Sequence, residues 1–234
     1  MRKAIEERYS VRTFDPKPLS AEDVAFLEQR VAAINAKTGL NAVFLEDGSK
    51  AFSGFKSSYG MFRGVRSLIL LKGDPSTPNL FEKAGYHGEA LVLDLVDRGL
   101  GTCWVGGTFD KSALEVPAGE QFICLILVGY PGKIALKDRV LLARLHDRYK
   151  PISERLTAVG HVSQTVMNGM ESVRLAPSAA NSQTPHFNYD DGILTATAPE
   201  DSTFGLVDLG IAKCHFVEEA GGSFEFGLGG RWLL

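Results

Sequence analysis

The stretch Arg8-Tyr9-Ser10-Val11-Arg12-Thr13-Phe14 carries two guanidiniums and a hydroxyl at alternate positions. In an extended segment alternate side chains share one face, about 7 Å apart, so Arg8, Ser10 and Arg12 can converge on a single anion. Arginine suits this task because its fork meets two phosphate oxygens at once and stays charged at any relevant pH. Standing alone, the same residues would read equally well as a solvated loop. Two later stretches give them a context: Gly99-Leu-Gly-Thr-Cys-Trp-Val-Gly-Gly107 and Arg174-Leu-Ala-Pro-Ser-Ala-Ala-Asn-Ser-Gln-Thr-Pro-His-Phe187. Gly106 and Gly107 allow a backbone to approach a flat ligand and to take dihedrals closed to other residues, although a helix cap followed by a tight turn would use them as well. Pro177 stops a helix and Asn181 tolerates unusual backbone angles, so Ser178 and Asn181 can be displayed from a fixed turn. Their hydroxyl and amide groups both donate and accept hydrogen bonds.

Nothing else in the chain reads as a catalytic side chain. The histidines at 87, 146, 161, 186 and 215 show no ligand spacing and no recognisable base partner, so they are structural or surface residues. Cys103 is set among apolar neighbours, which raise a thiol pKa and favour packing over redox work. No Cys-x-x-Cys pair is present to hold a metal.

These stretches need elements to position them. Met1 to Glu7 reads as a short helix, and Pro16 and Pro18 impose an extended connection after the Arg8 segment. Ser20, followed by Asp23, opens a helix with Val24, Leu27, Val31 and Ile34 at helical spacing, ending at Gly39. Asn41 to Glu46 and Ser67 to Lys72 read as strands, the second nearly all apolar and so central. Between them, Ser53 to Phe62 is a glycine-rich aromatic loop, either at the edge of a ligand pocket or simply at the surface. Tyr86 to Arg98 is a helix apolar almost all round, ended by Gly99-Leu-Gly. Gln121 to Val128 is another apolar strand, followed by the turn Gly129-Tyr-Pro-Gly132. Residues 133–157 are rich in Lys and Arg, either a solvated surface or, at Arg148 and Lys150, further cations for a bound anion. A helix from about Ala158, with Val162, Val166, Met170 and Val173 on one face, leads into Arg174. Strands at Pro185 to Tyr189 and Ile193 to Ala198 flank the hairpin signal Asp190-Asp-Gly192. A helix from Thr203 to about Cys214 and a glycine-rich tail, Gly221 to Gly230, complete the chain.

Composition narrows the class. At 234 residues, with 44% hydrophobic and 23% charged, the chain can bury a core of useful size as a soluble globular protein. Its 25 basic and 28 acidic residues give a formal net charge of −3, which offers no broad attraction for nucleic acid. Cys103, Cys124 and Cys214 are odd in number and set in apolar sequence, which suits buried thiols in a reducing compartment. A charged amino terminus and the absence of an apolar run of about 18 residues speak against a secretory signal and a membrane span, so a cytoplasmic location is expected.

Taken together, the three stretches resemble the nitroreductase family of FMN-dependent oxidoreductases. Its members carry an Arg-x-Ser-Val-Arg-x-Phe segment, an Ala-Pro-Ser-x-x-Asn-x-Gln-Pro loop and a Gly-Leu-Gly-Thr-x-Trp-x-Gly-Gly turn. The resemblance implies an α+β fold, a three-layer α/β/α sandwich with a mainly antiparallel central sheet. It implies FMN as cofactor and NAD(P)H as co-substrate, with hydride passing through flavin N5 to a nitro, quinone or similar small molecule. It assigns Arg8, Tyr9, Ser10 and Arg12 to the phosphate end, with Arg148 and Lys150 as added cations. Val105, Gly106 and Gly107 are assigned to the ring near N5, and Pro177, Ser178 and Asn181 to the ring and ribityl chain. No catalytic side chain and no metal are implied. Two rivals are a non-catalytic FMN-binding sensor or store, and a flavin-free interaction protein on the same fold.

The order of the motifs departs from the family. Here the Ala-Pro-Ser loop comes last, and Thr184 stands where many members have Pro. Because ordinary members are homodimers that share each flavin site, this order suggests two pseudo-symmetric, degenerate halves in one chain. Residues 1–155 would hold the phosphate grip and the Gly-Gly turn, and 156–234 the Ser/Asn loop. The chain would be a monomer imitating a dimer, open to further oligomerisation.

Overall fold

The computed structural model describes residues 1–54, 60–133 and 149–234. The core of the Ser53 to Phe62 loop and most of the basic segment, Arg148 and His146 included, lie outside the described residues. The chain forms two compact units that are not consecutive in sequence. Glu7–Leu80 and the described residues from Leu91 to Lys133 make the first; Met1–Glu6, Phe81–Ala90 and the described residues from Tyr149 to Leu234 make the second.

In the first unit, α2 (Ala21–Thr38) begins where the Ser20 hydroxyl accepts from the Asp23 N–H and ends where Gly39, at φ 77°, turns its N–H back to the Asn35 carbonyl. Helix α1 (Lys3–Glu7) precedes it. The sheet contains β1 (Val43–Leu45), β2 (Ser67–Gly73), β3 (Gly101–Val105) and β4 (Gln121–Gly129) in the order β1-β2-β4-β3, all antiparallel. Strand β2 is buried along its whole length, as an apolar inner strand should be. Leu68, Leu70, Leu125, Leu127, Cys103 and Val105 join Val11, Phe14 and Phe109 in one apolar cluster. The stretch after Gly99 is thus mostly strand, with the turn confined to its two ends.

The second unit holds a five-stranded sheet in the order β5-β6-β7-β9-β8: β5 (Leu156–Val159), β6 (His186–Asp190), β7 (Ile193–Thr197), β8 (Ser223–Phe224) and β9 (Gly230–Leu233). Among its described strands, only β5 and β6 pair in parallel. Asp191 and Gly192, at φ 42° and 98°, supply the two positive angles that a tight hairpin between β6 and β7 requires. Helices α4 (Gln164–Arg174) and α5 (Thr203–Ala220) cover an apolar cluster centred on Phe187 and Phe216. Helices with mainly antiparallel strands make the fold α+β, as expected, and the strands form two sheets, one in each unit.

Three element expectations are corrected. Leu156–Val159 is a strand, because Gly160 at φ 83° breaks the chain and the Ser163 hydroxyl, accepting from Val166 N–H, starts α4 only afterwards. Helix α3 (Leu80–Asp97) starts earlier than Tyr86, at an Asn79 that makes no side-chain cap bond and so leaves no sequence signal. Helix α5 continues past Cys214 to a cap at Gly221, and the glycine-rich tail contains two short strands.

The first half of α3 meets α5 with almost nothing between their backbones. A Cβ on Gly85 would lie 2.0 Å from the Val207 carbonyl oxygen, and one on Gly210 would lie 2.0 Å from that of Glu82. Around this contact, fully buried Lys213 donates to Glu82 Oε1 at 2.5 Å and to the carbonyls of Glu225 and Gly227 at 2.9 and 3.1 Å. His215 Nε2 lies 2.9 Å from Glu89 Oε1, and Nδ1 lies 3.0 Å from the Ser172 carbonyl. A carbonyl only accepts, so Nδ1 carries the proton, and Nε2 and Glu89 share another between them. His215 is therefore structural, but it does have an acidic partner.

Gly85→Ala is expected to cost about 3 kcal/mol or more, because the methyl must displace backbone. Gly107, where an added Cβ meets nothing within 4 Å, serves as the contrast. Gly107→Ala should stay within about 0.5 kcal/mol in the same urea denaturation series.

Candidate functional site

The Arg8 segment runs as a ribbon beside β3. Ser10 bridges Thr102 in parallel, Val11 N–H donates to the Thr102 carbonyl at 2.9 Å, and Phe14 N–H donates to the Arg63 carbonyl at 2.8 Å. The side chains then divide between the core and the surface. Val11 and Phe14 enter the apolar cluster, and Tyr9 packs against it. Gly101 makes room for Val11, since a Cβ there would sit 2.7 Å from a Val11 methyl. Arg8 is buried, Ser10 half-buried and Arg12 exposed.

All three act on one atom. Burial pushes the Cys103 thiol up, and it is opposed by the Arg12 guanidinium, a hydrogen bond with the Ser10 side chain and the Arg8 guanidinium, in that order. The ribbon therefore sets Arg8, Ser10 and Arg12 beside β3, the strand that leads into Gly106 and Gly107. The Val105 side chain belongs to the core. Gly107 does not have a positive φ and borders open space, so its bareness leaves room beside the backbone rather than permitting a special angle. Two guanidiniums and a hydroxyl are the donor set for a phosphate, and an open backbone edge suits a flat ring. These residues of the first unit fit the phosphate end and one edge of FMN.

The Ser/Asn loop belongs to the second unit. Ala180, Asn181 and Gln183 all have positive φ, at 51°, 54° and 51°, which non-glycine residues rarely adopt. Several groups hold the loop in this shape. The Ser178 hydroxyl accepts from Gln183 N–H at 2.9 Å, and Gln183 Nε2 donates to Asn181 Oδ1 at 3.2 Å. Lys150 N–H donates to Gln183 Oε1 at 2.8 Å and its Nζ to the Ser182 carbonyl at 3.0 Å, so this lysine braces the loop. Pro177, Ser178 and Asn181 are half-buried.

Sequence reasoning overlooked two residues under this loop. The Asp208 carboxylate, on α5, accepts the Ala179 N–H at 3.0 and 3.1 Å and faces the Ser182 hydroxyl at 3.5 Å. Burial pushes it up to about 7, against the opposing effects of the Ala179 N–H, Ser182 and Arg155. Arg155 donates from Nη1 to the Val173 carbonyl at 2.8 Å. Burial draws it down to about 10, with Asp208 resisting, so it stays charged at neutral pH. The available signal was an acidic residue in the otherwise apolar run from Phe204 to Ala212. Among the described residues no group of three or more His, Cys, Asp or Glu is placed to hold a metal, and no helix is long and apolar enough to cross a membrane.

A family model described as "Putative TM nitroreductase" matches residues 1–220, and the chain belongs to this nitroreductase family. A "putative nitroreductase" crystal structure from Thermotoga maritima is 22% identical and covers 98% of this chain and 90% of its own, with a TM-score of 0.63, so the fold is shared. A nitroreductase family protein from Clostridium difficile is 19% identical over 66% of this chain and 95% of its own, with a TM-score of 0.48. A nitroreductase with bound FMN from Bacteroides fragilis is 19% identical over 57% of this chain and 89% of its own, with a TM-score of 0.42. No curated protein matches the chain.

Because its folded-state pKa is raised, Asp208 contributes stability that is fully present below its unfolded value and is lost as pH rises through about 7. Between about pH 5.5 and about pH 8, Asp208→Asn should therefore lose less Tm than the native chain. A gap of at least about 3 °C is expected from thermal melts, the shift that about 1 kcal/mol produces in a chain of this size.

Proposed function

We propose that the protein is an FMN-dependent oxidoreductase that uses NAD(P)H to reduce a small nitro, quinone or similar acceptor. The observation that carries this reading is the ribbon that sets Arg8, Ser10 and Arg12 beside β3 in a chain of the nitroreductase family. The flavin, when bound, supplies the two-electron chemistry, and the chain supplies position and electrostatics. Arg8 and Arg12 neutralise the phosphate while Ser10 donates a hydrogen bond to it. Backbone N–H groups at Val105 to Gly107 would offer hydrogen bonds to the flavin ring, where a fixed donor favours the reduced form. Ser178 and Asn181 offer donors and acceptors to the ring edge and ribityl chain, with Pro177 setting where their loop begins. Lys150 holds that loop rather than the phosphate, and Arg148 would add a further cation. No side chain is needed as a nucleophile.

We also infer that one polypeptide imitates the family's dimer, with residues 1–155 and 156–234 as degenerate halves. The α3–α5 contact supports this: Gly85 meets the carbonyl three residues before Gly210, and Gly210 meets the carbonyl three residues before Gly85. Reciprocal contact of this kind is what a two-fold axis generates.

Titration with FMN tests the site. Arg8→Ala should weaken binding by about 10- to 100-fold, the loss of one charge-assisted contact of about 1.5–3 kcal/mol. Anaerobic NADPH should then bleach the visible flavin band of the native holoprotein. Persistent colour would leave a flavin-binding protein without turnover, and native protein that takes up no FMN would overturn the reading.

A further inference from the structure

Ala180, Asn181 and Gln183 lie in a backbone region that non-glycine residues leave unless their surroundings over-determine it. Among the described groups that hold them, Asp208 is the only acid and is 4% exposed. Its two oxygens share the Ala179 N–H at 3.0 and 3.1 Å, at the head of the strained segment. The Ser182 hydroxyl, 3.5 Å away, reaches it from the far end. The charged group facing Asp208 is Arg155, which acts through space while its Nη1 is engaged by the Val173 carbonyl; Lys150 approaches the loop only through the Ser182 carbonyl. On its own helix, Lys213 is occupied by Glu82. A carboxylate in this position is expensive, because buried charges are often improved upon by neutral groups of similar size. The loop gives it a use, since charge-assisted acceptors bind a backbone N–H more strongly than neutral ones.

We propose that Asp208 is a positioning residue: its carboxylate clamps Ala179 and Ser182 so that Ser178 and Asn181 are presented at the angles a flavin ring requires, at the expense of stability. This rests on the flavin reading above and adds to it the group that shapes the ring-binding loop. A merely structural aspartate would lose stability and binding together on substitution, whereas a positioning one separates them.

The test compares Asp208→Asn with the native chain in three measurements: thermal melting at about pH 8, flavin-free hydrogen exchange of the 176–184 segment, and FMN titration by fluorescence quenching. The proposal expects Asp208→Asn to melt higher, to exchange that segment about tenfold faster and to bind FMN about tenfold more weakly, the effect of losing one charge-assisted hydrogen bond. Unchanged exchange and affinity would overturn it, and so would a variant that melts lower and loosens everywhere. If Asp208→Asn does not fold, native protein decides the matter. Exchange of 176–184, corrected for intrinsic rates and referred to β2 and β4, should rise as pH falls through about 7. Constant relative exchange would overturn the clamp. Should native protein take up no FMN, the flavin reading fails, and the exchange measurements still decide whether Asp208 holds the loop.

Discussion

The contact on which the second unit depends is that of two helix backbones at Gly85 and Gly210. Either glycine with a methyl group would drive Cβ to 2.0 Å from a carbonyl oxygen, so the approach exists only because both side chains are absent. Close approach has an electrostatic consequence. Polar and charged groups brought in beside the crossing lose water and must be partnered within the protein, and Lys213 with Glu82 and His215 with Glu89 are so partnered. Such pairs add little net stability compared with apolar packing, but breaking one leaves a buried charge alone. Register between α3 and α5 is thereby specified more sharply than an apolar interface would specify it.

A similar use of missing side chains shapes the first unit. Gly101 admits the Val11 side chain, and alternation sends Ser10 the other way from Val11. The backbone bonds from Val11 to Thr102 and from Phe14 to Arg63 then lock the ribbon to its neighbours. Arg8, Ser10 and Arg12 thereby stand on a segment that is tied to β3 and packed through Val11 and Phe14. Burial raises the thiol of Cys103, a member of the same apolar cluster, against the opposing effect of the Arg12 and Arg8 guanidiniums.

The loop at 178–183 follows the opposite principle. It carries three unfavourable backbone angles and is held by polar groups drawn from α5 and from Lys150. Strain and buried charge are costly, and natural chains concentrate such costs where function requires a particular shape. The two parts thus reach rigidity by different routes, one by apolar packing and the other by hydrogen bonds.

How much of this could be read in advance differs from residue to residue. Ser20 and Gly39 delimited α2, and Asp191-Gly192 announced its hairpin, because caps and tight turns are settled by residues adjacent in the chain. The spacing of Arg8, Ser10 and Arg12 likewise implied a shared face, and the bridge from Ser10 to Thr102 showed which strand they lie beside. The start of α3 at Asn79 and the strand at Leu156–Val159 were hidden, since the first lacks a cap bond and the second is a strand only by pairing with β6. The partners of Lys213, His215 and Asp208 were out of reach for the same reason: they lie 131, 126 and 29 residues away. The sequence by itself determined the local elements, the family motifs and the chemical character of the site. Only the tertiary structure decided which buried charges face one another and which groups bend the loop, because these depend on contacts between segments whose separation along the chain carries no periodic signal.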